Sequence, residues 1–145
     1  MRILNPLYAV ILSTVIVACA SSARDTYQQG IRARIQGDDD KAYTLLRKSC
    51  RQGESRACVI VAHIENEIGN KDISYDYYRM ACDVGDSRAC NTMGIMQEEL
   101  GNRELAMEIF ERECDKGYAL SCDNLGFIEE RVSLEWWLAA LILQR

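Results

Sequence analysis

Cys50-RQGESRA-Cys58, Cys82-DVGDSRA-Cys90 and Cys114-DKGYALS-Cys122 are three copies of one sequence segment. Each copy has two cysteines eight positions apart and a glycine three positions after the first cysteine. Successive copies begin 32 residues apart. Self-similarity at a fixed period of this size is the signature of a repeat protein, in which similar units stack against one another. The segment therefore predicts a stacked array.

The residues around each copy predict an all-α fold. Apolar residues recur at steps of three and four before the first cysteine and after the second, which is the pattern of amphipathic helices. The predicted helices are 41–50, 58–68, 73–82, 90–100, 105–114 and 122–132. Glycines lie just past the helix ends, and Asn70 and Asn102 follow two of them as candidate N-caps. The only proline is Pro6, so the chain beyond it is free of the strongest helix breaker.

The two ends of the array are less regular. Residues 26–36 predict a weaker helix, half of a truncated opening repeat. Residues 133–145 align with the first helix of a unit and predict a C-terminal capping helix of a fourth repeat. The apolar run 136–143 in this helix is too short to span a bilayer, and a contact surface for another molecule is an alternative to capping.

The repeated cysteines predict one disulfide per repeat: Cys50–Cys58, Cys82–Cys90 and Cys114–Cys122. A tight turn between antiparallel helices brings such a pair within bonding distance. Each bond closes a loop of about nine residues, which is worth about 2.5 kcal/mol in chain entropy. A metal site is the weaker interpretation, because zinc ligands are spaced differently and the chain has one histidine. We therefore expect no cofactor and no metal.

The N-terminus predicts export with a lipid anchor. Residues 1–18 have the charge and apolar pattern of a signal peptide, and Ile16-Val17-Ala18-Cys19 fits a bacterial lipobox, with Cys19 as the lipidated residue. An ordinary secretory cut or an uncleaved anchor are the alternatives. Lipidation of Cys19 leaves six of the seven cysteines, which are the three repeated pairs. Residues 19–25 are small and polar and predict a tether, and an exported chain meets an oxidising compartment.

The net charge and the residue after the lipobox restrict the partners and the location expected for the protein. The formal net charge of −5 argues against a nucleic-acid partner, because phosphates require a basic surface. Ala20, rather than aspartate, follows the lipobox cysteine. By resemblance to lipoproteins of Gram-negative bacteria, this residue implies sorting to the outer membrane. The protein would then face either the periplasm or the outside of the cell.

The helix pairs resemble those of a known family. Small and aromatic residues recur at aligned positions, namely Met93-Gly94, Leu125-Gly126, Ala42/Ser74/Ala106 and Tyr78/Phe110. With these residues the chain resembles Sel1-like repeats, which are related to tetratricopeptide repeats, over about residues 26–145. The cysteine pairs place it nearest to the cysteine-rich, exported branch of that family. The short joins Gly69-Asn70 and Gly101-Asn102 are closer to those of tetratricopeptide repeats.

The resemblance implies a scaffold that binds a protein or peptide partner in a concave groove lined by one helix of each repeat. On this basis the candidate partner-binding residues are Asn91, Ile95, Glu98, Asp123, Phe127 and Glu130. The apolar pair in this set is equally consistent with burial in the core. An apolar stripe flanked by acids suits a partner segment with a hydrophobic anchor and basic flanks.

Two other functions stay open as alternatives. Some cysteine-rich Sel1-like proteins are linked to β-lactam binding or hydrolysis, but no serine here has a lysine three positions later and no GxSxG motif occurs. We therefore assign no catalytic residues and do not expect an enzyme. His63 is the only histidine, and we interpret it as an ordinary groove or core residue. The other alternative is a periplasmic immunity protein that neutralises a toxic effector.

Overall fold

The computed structural model describes residues 22–143, except for the side chains of residues 140, 141 and 143. Within this range the chain forms seven helices and no strand. They are α1 (22–35), α2 (Asp39–Arg51), α3 (Ser55–Glu67), α4 (Lys71–Asp83), α5 (Ser87–Glu99), α6 (Arg103–Asp115) and α7 (Ala119–Leu143). The all-helical repeat fold predicted from the sequence is confirmed. Residues 1–18 and Cys19 lie outside the described range, and no described helix has the length and apolarity needed to cross a membrane.

The chain divides into two compact units after Gly85, with α1–α4 in the first and α5–α7 in the second. Helices α2 to α6 each have 13 residues. The three residues between one helix and the next then complete half of the 32-residue period. The repeat in the sequence is therefore a repeat of helix and turn, and the second half of each period has the same length as the first.

The turn after α3 shows why the helices end where they do. Gly69 has φ of +88°, a left-handed conformation that other residues adopt only with strain. The N–H of Asn70 donates to the Glu65 carbonyl at 2.8 Å, and the N–H of Gly69 donates to the Asn66 carbonyl at 3.1 Å. These two bonds form a Schellman motif, which satisfies carbonyls at the helix end.

Asn70 does not cap the next helix with its side chain as the sequence predicts. Its Nδ2 instead donates to the Glu65 carboxylate at 2.8 Å, back across the turn. Asn102 repeats the arrangement after α5, where its Nδ2 donates to Gln97 Oε1 at 2.8 Å. A glycine, an asparagine and an acceptor five residues before it thus form a joint that reverses the chain.

Close packing identifies which helices form pairs. A Cβ placed on Gly94 in α5 would lie 2.5 Å from Cε1 of Phe110 in α6, so only glycine permits this approach. At the aligned position in α1, a Cβ on Gly30 would lie 3.0 Å from Cγ of Leu46 in α2. In α3 and α4 the Ser74 hydroxyl donates to the Ala62 carbonyl at 2.8 Å. The tight pairs are therefore α1/α2, α3/α4 and α5/α6.

This pairing corrects the predicted frame of the repeat. The disulfides were expected to close each unit, but Cys50–Cys58 links α2 to α3 and Cys114–Cys122 links α6 to α7. Each of these two bonds thus joins one tight pair to the helix that follows it. Helix α1 is accordingly the first helix of a complete pair rather than half of a truncated repeat. The glycine–asparagine joints lie within the pairs α3/α4 and α5/α6, and Gly37-Asp38 stands at the same place in α1/α2.

The N-terminal boundary also differs from the prediction. Residues 22–25, which were assigned to the tether, are helical and belong to α1. Ala23 is buried, and its carbonyl accepts a hydrogen bond from the Ser49 hydroxyl at 2.7 Å. This contact with α2 fixes the first turn, which the small polar composition of the segment did not predict.

The largest correction concerns the C-terminus. The sequence predicted a helix at 122–132 and a separate capping helix from 133, but α7 is continuous from Ala119 to Leu143. Ser133 and Leu134 stand where the earlier joints have glycine and asparagine. Leucine has no side-chain donor for the joint, and serine adopts the left-handed conformation only with strain. A Cβ on Gly126 would meet nothing within 4 Å, so none of the helices that the structure describes folds back over this position.

Candidate functional site

Disulfide bonds hold the helices that present the candidate surface. The Cα atoms of Cys114 and Cys122 lie 4.7 Å apart, and those of Cys50 and Cys58 lie 4.6 Å apart. Cys82 and Cys90 are disulfide-bonded as well. In the second unit, the bond between Cys114 and Cys122 fixes the start of α7 against the end of α6.

Helices α5 and α7 of the second unit lie side by side and carry all six candidate residues. Asn91 is only 6% exposed, and its Oδ1 accepts hydrogen bonds from the Ser121 hydroxyl and Asn124 Nδ2, both at 2.9 Å. Its side chain holds α7 against α5 and is almost fully buried, so its role in partner binding stays a prediction that these contacts do not support. The burial was missed because the sequence does not show which polar residues of α7 face it.

Glu98 forms a second link between the same helices. Its Oε1 accepts from Arg131 Nη1 at 2.6 Å, with the Glu98 side chain 25% exposed and that of Arg131 41% exposed. The guanidinium of Arg131 also lies 5.7 Å from the ring centroid of Phe127, a cation–π contact. Arg131 was not among the predicted residues, and its position next to Glu130 gave no signal, because adjacent residues of a helix point about 100° apart.

The apolar members of the set are on the surface. Phe127 is 59% exposed and Ile95 is 37% exposed, whereas the neighbouring Ile128 is buried against Phe110. The alternative that Phe127 and Ile95 belong to the core is therefore wrong. Exposed acids complete the face, with Asp123 four residues before Phe127 and Glu130 three residues after it. Residues at these steps lie on one side of a helix.

His63 occupies the aligned position in α3 of the first unit. Its Nδ1 lies 3.1 Å from the Tyr78 hydroxyl, and the two rings meet edge to face with centroids 5.6 Å apart. Burial raises the pKa of Tyr78. The histidine is thus exposed on one side and bound to α4 on the other, a structural arrangement that needs no catalytic role.

Glu65, a carboxylate of the first unit with a lowered pKa, also has a structural explanation. Glu65 is buried, and hydrogen bonds from the Tyr43 hydroxyl and from Asn70 hold its pKa below the usual range. Burial, together with the bond to this carboxylate, raises the pKa of Tyr43 to about 12. Because Glu65 accepts the hydrogen bond from Asn70 in the turn after α3, its ionised carboxylate has a structural role in the joint.

A cavity of about 660 Å³ opens beside this carboxylate in the first unit. Exposed acids at its edge include Asp39, Asp40 and Glu67, and exposed apolar side chains include Ile68 and Ile73. The sequence did not predict this cavity, because its walls come from four helices whose packing is not visible in the repeat pattern.

No family model matches the chain, and no curated protein matches it in sequence. Solved structures do match. A Sel1 repeat protein from Oxalobacter formigenes is 25% identical over 78% of this chain and 96% of its own, with a TM-score of 0.60.

Two more distant structures share the fold. The N-terminal domain of stress-induced protein-1 (STI-1) from C. elegans is 17% identical over 77% of this chain and 98% of its own, with a TM-score of 0.58. MamA is 18% identical over 84% of this chain and 75% of its own, with a TM-score of 0.57. The predicted resemblance is confirmed: the chain has a Sel1-like, tetratricopeptide-related repeat fold, and folds of this kind are typically scaffolds for protein–protein interaction rather than enzymes.

Proposed function

We propose that this protein is a lipid-anchored, non-enzymatic scaffold of the cell envelope that binds a protein or peptide segment on the α5/α7 face. The observation that carries the proposal is the exposure of Phe127, together with Ile95, on a face that also carries exposed acids. Exposure of the apolar ring of Phe127 to water is unfavourable, and a partner that covers the ring would remove this free-energy cost. Aromatic residues also dominate the binding energy of many interfaces.

The face has the charge pattern of a receptor for a basic segment. Glu130 and Asp123 are exposed near Phe127, and Glu98 is partly exposed beside Arg131. A partner with an apolar anchor and lysine or arginine flanks would pack the anchor against Phe127 and Ile95. Its flanks would pair with the carboxylates, which increases the association rate and sets the orientation.

The structure of this face selects the variant for the test. Glu98→Lys would place a lysine against Arg131 and disturb the link between α5 and α7, so the exposed Glu130 is the better site for charge reversal. Phe127→Ala with Glu130→Lys should weaken binding of a partner captured from envelope extracts by about thirtyfold or more, since an anchor residue contributes about 2 kcal/mol. Titration calorimetry measures the affinity, and thermal melting should be unchanged.

The matched control makes two comparable changes away from the face. Leu100→Ala with Glu111→Lys removes one exposed aliphatic side chain and reverses one exposed charge, and the affinity should stay at the wild-type value. If the Phe127 variant melts normally and binds like the wild type, the α5/α7 face is not the site. If both variants weaken binding equally, the change in net charge explains the loss of affinity, and the α5/α7 face is not the binding site.

The lipid anchor has a separate test. The lipobox residues Ile16 to Cys19 support acylation of Cys19, and Ala20 after it supports sorting to the outer membrane. Cys19→Ala should abolish incorporation of labelled palmitate and change the membrane fractionation of the protein. Wild-type protein that takes up no label would contradict the anchor while leaving the α5/α7 face untouched.

A further inference from the structure

The C-terminal part of α7, residues 133–143, is rich in exposed apolar side chains. Between 53% and 74% of the surface of each large apolar residue described there is accessible. These residues are Leu134, Trp136, Trp137, Leu138 and Ile142. Since α7 does not fold back at Ser133, the described part of the chain leaves this surface uncovered.

The exposed apolar residues do not form a single face. Successive residues of an α-helix point about 100° apart, so Trp136, Trp137 and Leu138 point in three different directions. A helix that packs against one neighbour buries a stripe about 100° wide. A second copy of the chain or one partner helix would therefore leave at least one of these side chains in water. An apolar medium that surrounds the helix would cover all three.

The boundaries of the segment also fit a lipid surface. No charged residue occurs between Glu135 and Arg145. Glu135 accepts two hydrogen bonds from Arg103, at 2.8 and 3.2 Å, so the last charged group before the segment is paired with a residue of α6. Tryptophan is enriched at the level of lipid headgroups, where its ring is apolar and its N–H reaches water.

The length of the segment limits how deep it can go. The eight residues 136–143 extend about 12 Å as a helix, which is less than half of the roughly 30 Å hydrocarbon core of a bilayer. The segment is long enough to enter one leaflet and too short to cross both.

We propose that residues 136–143 insert into one leaflet of a lipid membrane, as a contact that does not depend on the lipid at Cys19. The ion pair of Arg103 with Glu135 stays at the headgroup level and stops further entry. The net charge of −5 gives no attraction to anionic lipid, so the contact is hydrophobic, forms on zwitterionic lipid and withstands high salt.

The two tryptophans make a local readout, because Trp136 and Trp137 are the only ones in the chain. The full chain is mixed with phosphatidylcholine vesicles whose acyl chains carry bromine, which quenches tryptophan emission only by contact. We expect the emission to shift to shorter wavelength and to be quenched, both at low and at high salt. Absence of quenching in the wild type overturns the proposal.

Two double variants distinguish insertion of residues 136–143 into lipid from a position near lipid that the N-terminus alone would cause. Leu138→Glu with Ile142→Glu should weaken insertion by about a hundredfold, because two aliphatic side chains lose their burial, and quenching should disappear. The matched control, Ile35→Glu with Leu100→Glu, adds the same charges at exposed positions elsewhere and should keep wild-type quenching.

Two results from these variants would overturn the proposal. Full quenching in the Leu138 and Ile142 variant would show that the tryptophans only lie near lipid without insertion of the segment. A wavelength shift that depends on protein concentration in the absence of vesicles would show that the segment packs against a second copy of the chain.

Discussion

At the residue scale, the aligned glycines show that one sequence position has opposite requirements in successive repeats. Gly94 lies against the ring of Phe110, where a Cβ would be 2.5 Å from its nearest atom. Gly126, 32 residues later, has open space around it. Glycine at this position of the repeat is thus required for packing in α5, whereas in α7 it only lowers the stability of the helix.

This difference makes a paired prediction. Gly94→Ala should lower the free energy of unfolding by about 1–3 kcal/mol, because the ring of Phe110 must move. Gly126→Ala should raise it by about 0.5–1 kcal/mol, since alanine favours the helix and meets no neighbour. Chemical denaturation of the two variants measures both. A loss of stability in Gly126→Ala would mean that residues after Ser133 do pack on this position.

At the element scale, the 32-residue period was enough to predict every helix from α2 to α6, because both the apolar spacing and the turn glycines repeat. It failed at α7, although the signal was present: the series Gly37, Gly69, Gly101 ends at Ser133. The acceptor role of Glu65 and the burial of Asn91 could not be predicted, because they depend on side chains from neighbouring helices. Exposure of Phe127 was likewise decided by how α7 rotates against α6.

The joint can be restored by two substitutions. Ser133→Gly with Leu134→Asn recreates the glycine and asparagine of the earlier turns, and Glu129 stands at the position of the acceptors Glu65 and Gln97. We expect α7 to break there and residues 135–143 to pack back on Gly126. Amide hydrogen exchange should then be faster at residues 132–135, and the tryptophan emission should shift to shorter wavelength without vesicles. An exchange pattern identical to that of the wild type would contradict the importance of the joint.

In this altered background the Gly126→Ala substitution provides an internal check. Ile142 follows Gly126 by 16 residues, as Phe110 follows Gly94 and Leu46 follows Gly30. Once the pair closes, a Cβ at position 126 should clash with Ile142, and the substitution should change from stabilising to destabilising.

At the scale of the whole molecule, the disulfides join helix pairs that each bury little apolar surface alone. In a stacked array the free energy of unfolding is a sum of terms within repeats and between neighbours. The bonds at Cys50–Cys58 and Cys114–Cys122 strengthen the terms between neighbours, one in each compact unit. They close loops of equal length, because both have a sequence separation of 8.

Equal loops and unequal burial allow the two contributions of a disulfide to be separated. Replacing either pair by alanine should cost about 2.5 kcal/mol through the entropy of the unfolded chain, and this term is the same for both. Cys50 and Cys58 are buried, whereas Cys114 and Cys122 are half-buried, so the first replacement should cost about 1 kcal/mol more through lost packing. Guanidinium denaturation of the two variants, with peptide mapping of the remaining bonds, measures the difference. A larger loss of stability at Cys114 and Cys122 would mean that this bond contributes more than the entropy of its loop. The packing of α7 at the end of the array would then depend on the bond.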